Sequence, residues 1–387
     1  MRIYLDYNAT TPVDREVLDA MLPYFSGNFG NASSIHSAGQ RGRSAVDAAR
    51  ESVAALVGAK PSEIVFTCGG TEADNLALFG VVGRAVRRPV HVITTAIEHH
   101  AVLNCGQALE KQGVDVTYVP VGRSGIVDPE DVREAIRPET ALISAMLANN
   151  EIGTIQPIEE IRRISAEHGI CFHCDAVQAA GKLPLDVNRL GVDLLSISAH
   201  KIYGPKGVGA LYVRTGTELD PIFHGGHHER DRRPGTENVP GIVGLGKAAD
   251  LAAKSMATDA SRLAALRDKF EAALLSLPGV RLNGDGHNRV PNTCNLSFDA
   301  AGGEALVIAL DLQGIACSTG AACSSGAVEP SHVLTAMGLS ADQARSSLRF
   351  SLGRPTTAEE IDRAIEIIPT VVERLRGLSP LSVHAAT

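Results

Sequence analysis

The stretch SISAHKIYGPKGVGALYV, residues 196–213, fixes the interpretation of this chain. It completes the run DLLSIS at 193–198, a buried strand, and VGALYV at 208–213 reads as a second strand. Between them Lys201 stands just beyond a strand end, beside Ser198 and His200, and the glycines after it let backbone approach a ligand closely. In open parallel sheets ligands bind beyond the carboxyl ends of the strands, so the residues just past each strand are the informative ones.

On the N-terminal side of this stretch, strand patterns occur at 63–67, 90–95, 115–120, 141–146 and 170–174, mostly separated by helical patterns. The segment 36–57 is one of these helical patterns, with apolar residues at Val46, Ala49, Val53, Leu56 and Val57 and Gly58 as its stop. TEADNLALFGVV, 71–82, is expected as a helix capped by the Thr71 hydroxyl. The alternation implies an α/β unit whose largely parallel sheet carries helices on both faces. After about residue 256 the texture changes to a helix at 259–277, a strand at 292–298, a Gly-rich loop at 318–327, the run SSLRFSL and a final helix at 357–376. A smaller α+β unit is expected there.

The residues beyond the strands are consistently polar. CGGT comes after the first, then Glu98, His99 and His100, then Asn149, Asn150 and Glu151, then Asp175 and Gln178, then His200 and Lys201. A histidine at a strand end is usually an ordinary loop residue, but here five strands converge on one cleft. The glycine turn presents free amides and a helix N-terminus to an anion. No GxxxxGK[ST] pattern surrounds Lys201, so a nucleotide P-loop does not fit. A lysine of depressed pKa, a phosphate cup and an upstream carboxylate together are what pyridoxal 5'-phosphate (PLP) requires.

The 387 residues carry 36 Lys plus Arg against 44 Asp plus Glu, a net charge of −8, which gives no overall attraction to nucleic acid or anionic lipid. With 44% apolar and 21% charged residues the composition is that of a folded globular chain. The start reads as mixed rather than as a secretory signal, and no apolar run approaches the ~20 residues of a membrane helix. Seven irregularly spaced cysteines suggest reduced thiols, and a cytoplasmic location is expected.

Seven segments carry a resemblance: YLDYNATTP, FTCGGTEADN, TTAIEHHAV, MLANNEIGTIQPI, HCDAVQ, SISAHKIYGPKGVGALYV and STGAACSSGAVEPSHVL. Together, in order and spacing and over nearly the whole chain, they resemble the cysteine desulfurases of the NifS/IscS type, PLP enzymes of the class V aminotransferase group. The resemblance implies the type I PLP-dependent aminotransferase fold. Its large domain would span 15–256, and its small domain 1–14 with 257–387, carrying a mobile cysteine loop at about 318–327.

By the same resemblance Lys201 holds PLP covalently, Asp175 pairs with the ring nitrogen and Gln178 meets the ring's phenolic oxygen. His99 stacks on the ring and moves protons with a pKa near working pH, with His100 as its bystander. Gly70, Thr71, Ser198 and His200 form the phosphate cup, Thr236 reaches the phosphate of a neighbouring subunit, and Asn150 contacts cofactor and substrate. Arg349 grips the α-carboxylate, with Arg354 as the competing candidate. A homodimer is implied by Thr236.

Cys323 would be the nucleophile that takes sulfur from L-cysteine as a persulfide, leaving L-alanine, and passes it to an iron–sulfur scaffold or another acceptor. No resident metal is expected, although transient iron–sulfur ligation by Cys323 stays open. Cys317 reads as core packing, and Cys68 stands where the family more often has Ser or Thr. Cys171 and Cys174 form a CxxC, but positions i and i+3 of a strand face opposite ways. A selenocysteine lyase or other class V enzyme is the rival within PLP chemistry. A non-enzymatic sulfur relay would leave Lys201 and Asp175 unexplained.

Overall fold

A computed structural model of the protein describes residues 2–85, 89–320 and 329–378. Its strands, in chain order, are β1 (Ile3–Tyr4), β2 (Ile64–Thr67), β3 (His91–Thr95), β4 (Asp115–Val119), β5 (Thr140–Met146) and β6 (Cys171–Asp175), then β7 (Leu194–Ser198), β8 (Gly209–Val213), β9 (Val280–Leu282), β10 (Thr293–Phe298), β11 (Ile315–Ala316) and β12 (Ser347–Ser351). Seven of them form one sheet in the order β2-β8-β7-β6-β5-β3-β4. All run the same way except β8, which pairs antiparallel with both its neighbours. The link 199–208 explains the exception, because a parallel return needs a crossover of a dozen or more residues.

Side-chain alternation sorts the sheet residues onto two buried faces. Val65, Val92, Leu142, Leu194 and Leu211 pack under the helices Gly70–Arg84 and His100–Glu110. Ile64, Ile93, Ile143, Phe172 and Ile197 pack against the helix Ser37–Val57 and its neighbours. The expected doubly covered sheet is therefore present, with near-continuous apolar strands as burial on both faces requires. The CxxC is split between the faces, Cys174 lying in one core and Cys171 packing against the other.

The helix Ser37–Val57 begins with the His36 side chain accepting from the Gly39 amide and ends at Gly58, whose φ of 70° is the left-handed stop that its sequence position suggests. The cap expected at Thr71 is corrected by the structure. The helix Gly70–Arg84 is entered at Gly69, with no side-chain cap, and Thr71 lies inside its first turn. The tight glycine turn enters the helix before the hydroxyl can take the cap position.

The expected helix 259–277 is likewise the second half of a continuous 37-residue helix, Val239–Leu275. Its Ala-rich middle carries no stop signal, so position 256 falls mid-helix. The first half packs Ile242, Leu245 and Ala249 into the sheet core. The second half packs Leu263, Phe270 and Leu274 into a separate core with Ile3, Leu5, Leu296 and Phe350. That second core is built on the antiparallel sheet β12-β10-β9 and the parallel pair β1-β11.

The segment 228–236 is anchored by burial of charge. Glu229, Arg230 and Asp231 all have positive φ, 46°, 57° and 64°, a conformation that disfavours side chains. Glu229 offsets this strain through two 2.7 Å bonds from Arg50 and one of 3.0 Å from the Phe66 amide. Arg50 also donates to the Ile64 carbonyl at 2.8 Å, so the segment is fastened to β2 just before its glycine turn. Glu229→Ala leaves a buried guanidinium uncompensated and is expected to destabilise the fold by about 3–5 kcal/mol, measured by urea unfolding. A loss within error of zero would show that the segment is held by other contacts.

Candidate active site

The carboxyl ends of β2, β3, β5, β6 and β7 open into one cavity of about 440 Å³. Ten of the expected residues line it: Gly70, Thr71, His99, Asn150, Asp175, Gln178, Ser198, His200, Lys201 and Arg349. Two lie elsewhere. Thr236 is exposed outside the cavity, and Cys323 falls outside the described residues, although Ser318, Gly320 and His332 on either side of it line the cleft.

Lys201 comes after β7 in a short turn, Ala199–Lys201. Its Nζ donates to the backbone carbonyls of Asn8 and Ala9 at 2.5 and 2.8 Å. Burial, aided by the Arg349 charge, lowers its pKa to about 8, so a nucleophilic free amine is accessible near neutral pH. Asp175 ends β6, where one oxygen accepts from the Val177 amide at 2.8 Å. Burial raises its pKa, while that amide and Lys201 favour the charged form. A cation placed beside it would keep it ionised.

His99 caps the helix His100–Glu110, and its Nδ1 accepts from the Ala101 amide at 3.1 Å. That bond assigns the ring proton to Nε2, on the other side of the imidazole. The expectation of a pKa near working pH is overturned. Burial and the Lys201 charge pull it down to about 4, so His99 is a neutral imidazole. His100 packs against His332, with ring centroids 4.8 Å apart and planes tilted by 50°.

The two candidate arginines are separated by structure. Arg349, on β12, is buried in the cleft, where it donates to Asp6 at 2.7 Å and to the Asn150 carbonyl at 3.0 Å. Its Nε and the Asn150 Oδ1 are buried without a hydrogen-bond partner in the protein. Arg354 lies outside the cleft, clamped by Asp14 and Asp259 at 3.3 and 3.1 Å with its guanidinium over the Tyr203 ring.

Several residues of the site carry no assignment from the sequence. Asn8 receives Lys201 and the Gln178 amide, at 3.0 Å, on its carbonyl, and its side chain accepts from Lys182 at 3.2 Å. Lys182 also donates to Gln178 Oε1 at 2.6 Å, and burial pushes its pKa well below that of an ordinary lysine. Asp6 and Asn8 sit in YLDYNATTP, and Lys182 lies four residues after Gln178, the one spacing signal available. Glu98, fully buried, accepts from the Thr95 hydroxyl at 2.6 Å and the Met146 amide at 2.9 Å, and burial pushes it up to about 8.

The cavity suits a flat phosphorylated ring. At Gly70 the backbone lies so close to its surroundings that a Cβ would meet Val177 at 2.7 Å and Ser198 at 3.6 Å, so only glycine leaves the amide turn free to approach an anion. Beside it stand the Thr71 and Ser198 side chains, with Asp175 across the cleft and an amine at its floor.

Residues 3–364 match the class-V aminotransferase family, and the chain belongs to it. Within that family it is one of the PLP-dependent cysteine desulfurases of the NifS/IscS type. Cysteine desulfurase IscS of Methanosarcina thermophila is 51% identical over 380 residues, 98% of this chain and 94% of its own length. Among solved structures, a NifS-like protein matches with a TM-score of 0.91 at 39% identity, over 97% of this chain and all of its own. SspA in complex with cysteine matches with a TM-score of 0.81 at 41% identity, over 91% of this chain and 99% of its own.

A lysine titrating at about 8 sets an expectation for loading. Because only the free amine condenses with an aldehyde, PLP uptake by the apoprotein should accelerate from roughly pH 6.5 and level off above about 8.5. Stopped-flow absorbance measures this directly, and a rate that stays flat across the range would remove Lys201 as the titrating amine.

Proposed function

We propose that the protein converts L-cysteine to L-alanine with Lys201, Asp175, Arg349, His99 and Cys323 as its working residues, passing the sulfur from Cys323 to an acceptor protein. The observation that carries this reading is the meeting, in one cavity, of the depressed amine of Lys201, the Asp175 carboxyl and the Arg349 guanidinium. PLP, when bound, supplies an electron sink for the substrate's α-carbon. Lys201 is the residue that would hold it, Asp175 would face its ring nitrogen, Gln178 its phenolic oxygen, and Gly70, Thr71, Ser198 and His200 its phosphate.

The chain's own residues divide the rest of the work. Arg349 binds the substrate α-carboxylate, its orientation fixed by Asp6 and the Asn150 carbonyl. His99, neutral and anchored through Nδ1, presents its Nε2 proton to the cleft as a hydrogen-bond donor for a bound ligand. The thiolate of Cys323 attacks the substrate sulfur: a sulfur–sulfur bond forms and the carbon–sulfur bond breaks. Its electron pair stays with the carbon, which a proton then completes to the methyl group of alanine. In support of this step, Gly320 and His332, which precede and follow Cys323 in the chain, both line the cleft.

The assembly is a homodimer in this reading. Thr236 faces solvent outside its own cavity, as a residue completing a neighbour's phosphate cup must. Nearby, a groove of about 830 Å³ runs between Phe79, Ile222 and Phe223, and Phe25, Phe29 and Ile35 are also exposed. Apolar surface of this kind marks a protein contact. An iron–sulfur scaffold is the acceptor in this reading and the cytoplasm the place of work, in keeping with reduced thiols. Sedimentation of the PLP-loaded protein should give twice the chain mass, and a monomer with full PLP occupancy would exclude the shared site.

The decisive experiment is Cys323→Ser. The variant should bind PLP and respond spectrally to L-cysteine, because Lys201, Asp175 and Arg349 are intact, yet release no alanine. The wild-type peptide containing Cys323 should gain about 32 Da, one sulfur, after brief exposure to cysteine. Cys317, buried with its thiol pushed up to about 12, should be dispensable. Wild-type turnover by Cys323→Ser would instead favour a lyase that eliminates sulfur without a protein nucleophile.

A further inference from the structure

Beneath Asp175 the apolar interior between the sheet and the helix Gly70–Arg84 is interrupted by a cluster of polar side chains. Two-residue periodicity puts His173 on the same face of β6 as Asp175. Register places Ser144 of β5 beside His173 and Ser196 of β7 beside Asp175. His173 is fully buried, with Nδ1 2.8 Å from the Ser144 hydroxyl and Nε2 3.0 Å from that of Ser196. Asp74, from the helix above, brings Oδ1 to 3.6 Å from the same Nε2. It is 1% exposed and lines the cleft, and its Oδ1 makes no hydrogen bond.

A buried polar group is costly unless paired, and nothing in the folding of an apolar sheet calls for four of them in one place. Three of them border Asp175: His173 two residues before it on the same face, Ser196 opposite it and Asp74 within range of its charge. We propose that Asp74 is a positioning residue for Asp175: held against Ser196 and His173, it is the uncharged second carboxyl of a pair in which Asp175 alone carries the negative charge facing the ring nitrogen. This rests on the assignment of Asp175 proposed above.

Two adjacent carboxyls in a dry site do not both ionise, and the one with fewer donors keeps the proton. Asp175 has the Val177 amide and Lys201, whereas Asp74 has one oxygen without a donor. The surrounding groups agree. Asp175 and the buried Glu98 repel charge on Asp74, with only the Ser196 hydroxyl favouring it. His173 supplies no cation, since burial pulls it down to about 3, and burial, together with any charge on Asp74, keeps the Cys105 thiol protonated. A neutral Asp74 leaves Asp175 as the single charge of the pair.

The test compares Asp74→Asn, which keeps the shape and hydrogen bonding of the protonated acid, with Asp74→Leu, which keeps only bulk. The PLP dissociation constant on reconstituting each apoprotein is measured from roughly pH 6 to 9, with the visible band and the apoprotein melting temperature as companions. Asp74→Asn should track the wild-type affinity curve across the range, while Asp74→Leu should bind PLP roughly tenfold more weakly with its band displaced. Wild-type affinity and spectrum in Asp74→Leu would overturn the positioning role. Loss in Asp74→Asn that matches Asp74→Leu, or widens as pH rises, would overturn the neutral assignment.

If Asp74→Leu does not fold, Ser196→Ala takes its place. By removing the hydroxyl that His173 holds beside Asp175, and that favours charge on Asp74, it should weaken PLP binding about threefold, and no change would equally refute the idea. Asp175→Asn separates this inference from the one beneath it. An unchanged visible band in that variant would refute the ring-nitrogen assignment, whereas the Asp74 variants judge the pair.

Discussion

The Lys201 amine is held by two carbonyls from the opposite end of the chain, those of Asn8 and Ala9, and the arrangement of the molecule depends on that contact. The segment that supplies them begins in the second core, where β1 pairs with β11, and ends at Thr11, whose amide and hydroxyl both donate to the His200 carbonyl. On the way, Asp6 holds Arg349 and the Asn8 side chain donates to Thr293 of β10 and to the Asn150 carbonyl. One short stretch thus joins the sheet end bearing the amine to the sheet bearing the guanidinium. The distance between the Lys201 amine and the Arg349 guanidinium is set by backbone, which varies less than paired long side chains would.

The fold is legible in the sequence where geometry is local and periodic. The strands can be read from β-branched and apolar runs, and their common direction from the helical patterns between them. Thr71 and the helix Val239–Leu275 mislead for physical reasons. A cap hydroxyl and a capless glycine turn look alike when written out, and a helix that passes between two cores carries no punctuation where its packing partner changes. Residue 256 is Met, in an uninterrupted run of helix formers, and only the tertiary contacts of Ala249 and Leu263 distinguish the two halves.

The candidate site is legible to a lesser depth. Residues placed directly beyond strand ends, Asp175, Asn150 and Lys201, can be found because strand direction alone determines where they project. Asp6, Asn8 and Lys182 receive no role from sequence, since their partners lie up to 343 residues away in the chain and the contacts exist only after both cores have docked. Asp74 is hidden differently: within TEADN it resembles an ordinary polar residue of an early helical turn, and its burial depends on which face meets the sheet.

Where burial shifts the acids, histidines and lysines in and around the cleft, it acts in the same sense, toward loss of charge. His99 and Lys182 are pulled down, Glu98, Glu151 and Asp74 are pushed up, and Lys201 is brought to about 8. A cleft prepared in this way holds few fixed ions before a ligand arrives, which limits the desolvation cost of the unliganded fold. It also makes the response to a ligand selective. In the proposed reading, an incoming α-carboxylate would meet a guanidinium already paired with Asp6, and a cationic ring nitrogen would meet the carboxyl whose neighbours favour its charge. The chemistry is assigned by which groups retain the ability to become charged, and in this protein that is decided by the amides and hydroxyls around each of them more than by the identity of the acids and bases themselves.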